Sequence, residues 1–234
     1  TPPVVIGEGH CRTPFAGRSL VNVSAMSFGA ISRPAVLALS RGAAEAGCWL
    51  DTGEGGLSPY HLEGGCDLIF QIGTAKYGVR DENGRLSDQR LRELAAQATV
   101  RAFEIKLSQG AKPGKGGVLL GNKVTAEIAQ IRGIPEGRDS LSPNRHHDIA
   151  NVDELLDRIE HVREVTGKPV GVKTAIGGER FMHELTAAIR RRGPRAAPDF
   201  LTIDGGEGGS GAAPQALADH MALSIDEALP LVAD

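Results

Sequence analysis

Short aliphatic and β-branched runs alternate along this chain with longer segments in which apolar residues recur at helical spacing. Each run ends at, or just before, a Gly, Ser or Thr, residues that favour the loop after a strand. Strands that alternate with helices in this way pair as parallel strands joined by crossover helices. The alternation therefore predicts an α/β fold with six parallel strands, at residues 20–24, 48–51, 68–72, 103–107, 169–173 and 200–204.

The helices between these runs are predicted from the residues at their ends. Asn151 and Glu154 have the pattern of a capping box, the apolar residues that follow share one face, and Gly167 ends the helix. Two connections are irregular, because residues 53–67 join two strands without a helix and about 60 residues separate the fourth and fifth strands. Three further helices are predicted at 32–47, 87–101 and 179–192.

The number of strands bears on the fold class. A (β/α)8 TIM barrel has eight strands in roughly 250 residues, and this chain has six predicted strands in 234 residues. We therefore predict one domain over 1–234, a TIM barrel that is incomplete at its C-terminus and holds about the first six strands. An open doubly wound sheet is the alternative, because it needs no missing strands.

Composition narrows the class of partner. The chain has 26 Lys and Arg against 29 Asp and Glu, a net charge of −3, which argues against a nucleic acid or an anionic membrane as the main partner. No apolar run approaches the roughly 18 residues of a membrane span, and no signal peptide is recognised. An odd number of cysteines without a CxxC pair predicts reduced thiols in a cytoplasmic protein, with no zinc site or disulfide framework. The cysteines are Cys11, Cys48 and Cys66.

A glycine-rich sequence, DGGEGGSG at residues 204–211, follows the last predicted strand. Successive backbone amides in such a turn can form an anion-binding concavity. The run also matches the GxGxxG pattern of dinucleotide-binding sites, but the match is weak because Pro214 follows soon after. A tight turn without any ligand is the alternative.

Two lysines, Lys106 and Lys173, lie in otherwise apolar predicted strands. Burying an ammonium group is costly unless an anion pairs with it, and the catalytic groups of barrels lie at the carboxyl ends of strands. The two lysines therefore predict a site for a carboxylate or a phosphate. The alternative is that each side chain reaches outward or pairs with Glu104 or Asp204.

Two other sequences could carry chemistry. Glu54 lies in TGEGG after the second predicted strand, which suits a gating loop or, equally, an exposed turn. The neighbours His146, His147 and Asp148 suggest a metal site. Adjacent residues of an extended segment point to opposite faces, so a role in a loop or at the start of a helix is favoured.

Six segments occur together in an order that is specific, although each alone is common. They are AMSFGAIS at 25–32, TGEGG at 52–56, KYGV at 76–79, the stretch 105–117, HHDI at 146–149 and the stretch 204–214. Together they resemble the FMN-binding domain of glutamate synthase over nearly the whole chain. The segment around Cys11 and the pair Asn144-Arg145 look more like the shorter proteins related to glutamate synthase.

The resemblance implies a TIM barrel that holds FMN at its C-terminal mouth and makes L-glutamate, in glutamate biosynthesis and nitrogen assimilation. In that reaction 2-iminoglutarate, formed from 2-oxoglutarate and ammonia, is reduced by hydride transfer from reduced FMN. The implied catalytic residues are Glu54, Lys106, Gln109 and Lys112, with Glu54 on a loop that senses ammonia delivery. The implied cofactor-binding residues are Met26, Ser27, Phe28, Gly29, Ala30, Lys173, Asp204, Gly205, Gly206, Gly208, Gly209 and Ser210.

The resemblance also implies partners, and it leaves alternatives open. The partners are a small 2-oxoacid, ammonia or an amine, and a separate glutaminase or electron-donor subunit or domain. The family's 3Fe–4S cluster uses closely spaced cysteines that this chain does not match, so no iron–sulfur cluster is expected. The alternatives are another flavin- or nicotinamide-dependent barrel enzyme acting on a different small anionic substrate, and a non-catalytic barrel fragment that serves as a binding or assembly module.

Overall fold

The computed structural model describes residues 3–233. The strands are β1 (Val4–Ile6), β2 (Phe15–Gly17), β3 (Trp49–Asp51), β4 (Asp67–Ile72), β5 (Val100–Lys106), β6 (Val118–Leu119), β7 (Ser140–Leu141), β8 (Val170–Ala175) and β9 (Leu201–Asp204). The α-helices are α1 (Arg33–Ala46), α2 (Pro59–Glu63), α3 (Asp88–Ala95), α4 (Ala126–Arg132), α5 (Val152–Thr166), α6 (Arg180–Arg192) and α7 (Ile225–Ala233). Within the described residues, no helix is both long and apolar enough to cross a bilayer.

The central sheet has five parallel strands in the order β3-β4-β5-β8-β9, which is also their order along the chain. A doubly wound sheet reverses its strand order at one point, and this sheet does not. Because crossovers between parallel strands are right-handed, an unreversed order places the helices on one face of the sheet. The predicted α/β class is confirmed, the sheet curls as a half-barrel, and the doubly wound alternative is wrong.

The two faces of this sheet differ in polarity. Successive residues of a strand point to opposite faces, so Phe70 and Phe103 face the helices while Gln71 and Glu104 face the inside of the curl. Phe70 and Phe103 are fully buried with ring centroids 5.9 Å apart, in a core that includes Leu156 of α5. The inner face carries polar and charged residues at the carboxyl ends of the strands, and this polarity positions the site described below.

The antiparallel ribbon of β1 and β2 lies against the amino end of the sheet. Phe15 of β2 is buried and meets the ring of Trp49 edge-on, with centroids 5.7 Å apart. The guanidinium carbon of Arg101 lies 5.5 Å from the centroid of the Phe15 ring. The ribbon therefore packs against β3 and β5 at the end opposite the polar cavity.

The first predicted strand, at 20–24, is wrong in extent. Only Val23 pairs with the sheet, through one parallel bridge to Leu50. Leu20 and Val21 are 77% and 78% exposed, because the chain turns there before it reaches β3. The other five strands lie where they are predicted, to within three residues.

The predicted helices at 32–47, 151–167 and 179–192 are confirmed as α1, α5 and α6. The Asn151 side chain accepts the Glu154 N–H at 2.9 Å, and Glu154 reaches back to the Ala150 N–H at 2.7 Å. The helix predicted at 87–101 is too long, because Val100 pairs with Leu68 in the sheet and α3 ends at residue 95.

The connection 53–67 contains the short helix α2, contrary to prediction. The sequence signal was present, since Ser58 caps the helix and Pro59 occupies its first position. The long connection between β5 and β8 contains β6, α4 and β7, which were not predicted. Strands of two residues leave too short a pattern to be recognised.

Candidate active site

A cavity of about 600 Å³ opens at the carboxyl ends of the parallel strands. Volumes of 300–1,000 Å³ are typical of pockets for small molecules and cofactors. Most of the predicted site residues line it: Met26, Ser27, Gly29, Ala30, Glu54, Lys106, Gln109, Lys112, Lys173, Asp204 and Gly209. Phe28, Gly205, Gly206, Gly208 and Ser210 are not among the lining residues.

Lys106, at the end of β5, forms polar contacts with two other predicted site residues. Its Nζ lies 3.5 Å from Oε2 of Glu54 and donates a hydrogen bond of 3.0 Å to Oε1 of Gln109. Two glycines make room for Glu54, because a Cβ on Gly73 would lie 2.6 Å from the Glu54 Cβ and one on Gly117 would lie 3.2 Å from its Oε1. The structure thus brings together three of the four predicted catalytic residues.

Lys173 lies directly beside Lys106 in the sheet register and has a carboxylate partner of its own. Its Nζ is 3.2 Å from Oδ1 of Asp204, whose Oδ2 accepts the Gly110 N–H at 2.6 Å. For Lys173 the structure has the alternative of the sequence analysis, an ion pair with Asp204, while Lys106 pairs with Glu54. The site for an external carboxylate or phosphate remains a prediction.

Lys112 differs from these two lysines. It is only 7% exposed, and its ammonium forms no hydrogen bond or ion pair with any residue in the range 3–233. Burial lowers its pKa below the usual lysine value, the charges of Lys106 and Lys115 lower it further, and Glu54 partly opposes this. A buried cation without a partner is costly, so Lys112 is suited to bind an anion from the cavity.

The loop 26–30 is held in place by His61, which the sequence analysis did not single out. His61 is fully buried, and burial lowers its pKa, so the ring is neutral. Its Nδ1 accepts the Ser58 N–H at 3.2 Å, which leaves Nε2 to donate to the Met26 carbonyl at 2.9 Å. Phe28 points away from the cavity and packs edge-on against Tyr60, with centroids 5.0 Å apart.

The glycine-rich run after β9 packs against the loop that carries the catalytic candidates. Gln109 Nε2 donates to the Gly209 carbonyl at 2.7 Å, and a Cβ on Gly110 would lie 1.6 Å from the Gly205 carbonyl oxygen. The N–H groups of Gly206 and Gly208 already donate to the carbonyls of residues 223 and 205. The predicted cofactor role of this run remains a prediction, and close packing explains several of its glycines.

Arg132, at the end of α4, is a second buried cation at the cavity and was missed by sequence reasoning. It is 8% exposed, and no carboxylate within the described residues pairs with it. Its guanidinium lies 5.1 Å from the Tyr77 ring centroid and contacts Ser140 Oγ at 3.4 Å. Its Nε is buried without a hydrogen-bond partner. The sequence of a short amphipathic helix does not show that one of its arginines is buried at a cavity.

Gln71, on β4, presents an acceptor to the cavity. Its Nε2 donates to Oε1 of Glu104 at 2.7 Å, and its own Oε1 is buried without a partner among residues 3–233. Such orphaned acceptors are rare in native structures. An N–H or O–H donor of a bound molecule would satisfy it.

The segment 143–148 supports Lys106 from outside the cavity. His146 is buried, which lowers its pKa, and its Nε2 donates to the Lys106 carbonyl at 2.9 Å. Asp148 pairs with Lys76 at 2.9 Å and with Arg158 at 2.8 Å. His146 therefore lies in a loop, as the favoured interpretation of the sequence predicted. Within the described part of the chain, no group of three or more His, Cys, Asp or Glu side chains could hold a metal ion.

Comparison with known proteins gives a family and a set of relatives. The family model described as a conserved region in glutamate synthase matches residues 2–234. The glutamate synthase large subunit-like protein YerD of Bacillus subtilis is 47% identical, over 97% of this chain and 43% of that protein. The archaeal-type glutamate synthase (NADPH) of Thermotoga maritima is 41% identical, over 91% of this chain and 38% of that protein. The archaeal glutamate synthase (NADPH) of Methanocaldococcus jannaschii is 37% identical with the same coverage, 91% and 38%. The chain thus spans about two-fifths of the length of these relatives.

Proposed function

The chain belongs to the glutamate synthase family, and from this premise we propose that it forms part of a flavin-dependent oxidoreductase of glutamate synthase type. The proposed reaction is the reductive amination of 2-oxoglutarate to L-glutamate, with the cavity at the strand ends as the active site. The proposed partners are ammonia or an amine, and a glutaminase or electron-donor subunit or domain outside this chain.

The observation that carries the proposal is a pair of buried cations, Lys112 and Arg132, that line one cavity and have no carboxylate partner among the described residues. A 2-oxo dicarboxylic acid brings two negative charges, and each carboxylate would offset the cost of burying the cation with which it pairs. Cations held near the reacting carbon would also make the imine more electrophilic.

The residues present fit FMN as the cofactor. The cavity volume of about 600 Å³ suits a flavin ring with a substrate, and the buried Oε1 of Gln71 requires an N–H or O–H donor from a ligand. Met26, Ser27, Gly29 and Ala30 would lie along the cofactor. Lys173 would supply positive charge for an anionic reduced ring. Bound FMN would supply the hydride that reduces the imine.

The remaining roles follow from the contacts of Lys106. His146 fixes the backbone of Lys106, while Glu54 and Gln109 hold its ammonium at the cavity wall. In the proposal Lys106 and Gln109 orient the 2-oxoacid. Glu54 offsets the charge of Lys106 through the 3.5 Å ion pair, and movement of the Glu54 loop away from Lys106 would leave the ammonium to an anion in the cavity.

A second candidate function has one observation in its favour. Ile31, Val118 and Leu119 form an apolar part of the cavity lining. A wall of this kind suits a substrate with one carboxylate and an apolar side chain. A related flavin-dependent reaction on such a 2-oxoacid is therefore the alternative.

The test begins with absorption spectra of the protein with and without FMN. The photoreduced protein is then mixed with 2-oxoglutarate and ammonia, which condense to 2-iminoglutarate, and reduction of this imine is followed in a single turnover. We expect flavin bands that remain after gel filtration, and flavin reoxidation that requires both substrates. Lys106→Met should slow reoxidation by about 100-fold or more, and Arg138→Met, at an exposed position, serves as the control. Failure to retain FMN contradicts the proposal, and reoxidation by an apolar 2-oxoacid but not by 2-oxoglutarate selects the alternative.

A further inference from the structure

The amide of Gln71 separates the cavity from two buried carboxyl groups, those of Asp51 and Glu104. Gln71 is 1% exposed, Glu104 is 2% exposed and Asp51 is 6% exposed. Asp51, Gln71 and Glu104 lie on the neighbouring strands β3, β4 and β5, and Gln71 is directly beside Glu104 in the register. None of these side chains pairs with a lysine or arginine within 4.0 Å among the described residues.

Glu104 uses both carboxylate oxygens as acceptors. Its Oε1 accepts from Gln71 Nε2 at 2.7 Å, and its Oε2 accepts from the Thr202 hydroxyl at 2.5 Å. Asp51 accepts the Gly53 N–H at 2.7 Å with Oδ1. Each of the two side chains that contact the Glu104 carboxylate therefore donates to it.

This carboxylate determines which way the Gln71 amide points. If the Gln71 amide turned over, its Oε1 would face a carboxylate oxygen of Glu104, which is repulsive, and its NH₂ group would face the cavity. With Glu104 as the acceptor, the NH₂ group faces the carboxylate and the carbonyl faces the cavity. The cavity therefore presents an acceptor at this point and not a donor.

We propose that Glu104 is a positioning residue that fixes the Gln71 amide, so that its carbonyl receives an N–H group of the cavity's ligand. The inference rests on the proposed function in one respect, because the ligand class is taken to be a flat heterocycle with an imide N–H. Oxidised flavin has a single ring N–H, which matches the one orphaned acceptor that lines the cavity among residues 3–233.

The first test needs no ligand. NMR should show slow hydrogen exchange of the Gln71 side-chain NH₂ in the wild type, because this group is buried against Glu104. Fast exchange of this NH₂ overturns the proposal.

Two matched variants of Glu104 distinguish the effect of its hydrogen-bond acceptor from the effect of its side-chain volume. Glu104→Met keeps the shape but removes the acceptor, so exchange of the Gln71 NH₂ should quicken by about tenfold or more. Glu104→Gln keeps a carbonyl that can accept from Gln71, so exchange should stay slow. Equal exchange rates in the two variants overturn the positioning role.

The second test uses FMN binding as its readout, measured by fluorescence quenching. Glu104→Met should weaken FMN binding by about 10- to 100-fold, as should Gln71→Leu. If Glu104 acts through Gln71, Glu104→Met in the Gln71→Leu background should change the affinity by less than about twofold. Additive losses overturn the positioning role. If wild type binds no FMN, the proposed function fails, and the exchange measurements still decide the role of Glu104.

Discussion

The two ends of the parallel sheet differ in the partners that some of their buried charged side chains have. At the amino end, the side chain of Asp199 is 1% exposed and has partners on α5 and β8. Its Oδ2 accepts from Arg163 Nε at 3.0 Å and from the Val170 N–H at 2.8 Å, while its Oδ1 lies 3.5 Å from His10 Nδ1 without a hydrogen bond. Burial, and then the charge of Asp199, raises the pKa of the Cys11 thiol to about 12, so this thiol is inert.

At the carboxyl end, two buried cations lack a carboxylate partner among the described residues. Lys112 and Arg132 are 7% and 8% exposed, similar to Arg163 at 8%. Arg163 has Asp199, whereas neither cavity cation pairs with a carboxylate in the range 3–233. A buried charge with a partner in the chain holds the fold together, and one without a partner costs stability. A site that binds an anion would carry this stability cost, because its cations have to be left without partners in the chain.

The strongest test of this contrast is removal of the partner at the amino end. Asp199→Ala should lower the free energy of unfolding by about 3–5 kcal/mol, because it leaves the Arg163 guanidinium buried and unpaired. Urea unfolding followed by circular dichroism measures the loss. Glu63→Ala, which breaks an exposed pair with Arg41, is the control and should cost about 0–1 kcal/mol. Similar costs for the two variants would remove the distinction between the ends.

Removal of a cation at the carboxyl end should weaken ligand binding without lowering stability. Lys112→Met should weaken 2-oxoglutarate binding by about 10- to 100-fold, because the ammonium is expected to contact a carboxylate. The free energy of unfolding should stay the same or rise by up to about 1 kcal/mol, since an unpartnered buried charge is removed. Calorimetric titration and urea unfolding of the same sample measure both. Lost stability with unchanged binding would show Lys112 to be structural.

The smallest expected effect is a pH dependence caused by Asp51. Its pKa is higher in the folded than in the unfolded chain, so the folded state holds the proton more tightly. The corresponding stability is fully present below the unfolded value of 3.8 and is lost as the pH rises through the folded pKa, with a slope of at most about 1.4 kcal/mol per pH unit. Asp51→Asn should therefore gain stability relative to wild type as the pH rises. Parallel pH–stability curves would contradict a raised pKa.

The sequence predicted the elements with a strong local signal. The helix capped by Asn151 and ended by Gly167 is recognisable from its own residues. The same is true of the four longest strands of the sheet and of the charged strand ends at Lys106 and Lys173. Elements that depend on contacts elsewhere were missed. The first two residues of β5, Val100 and Arg101, were predicted as the end of a helix, because the pairing of Val100 with Leu68, and not local composition, decides their conformation.

The amino-acid sequence by itself determined the α/β class, the placement of Lys106, Gln109 and Glu54 at strand ends, and the glutamate synthase family. Each of these depends on the order of residues along the chain. Only the tertiary structure decided which charges are paired. Lys173 has Asp204, while Lys112 and Arg132 line the cavity and form no ion pair with a carboxylate of the described residues. Distances between residues remote in sequence are set by the packing of the sheet and helices, so the orientation of Gln71 against Glu104 could be found only there.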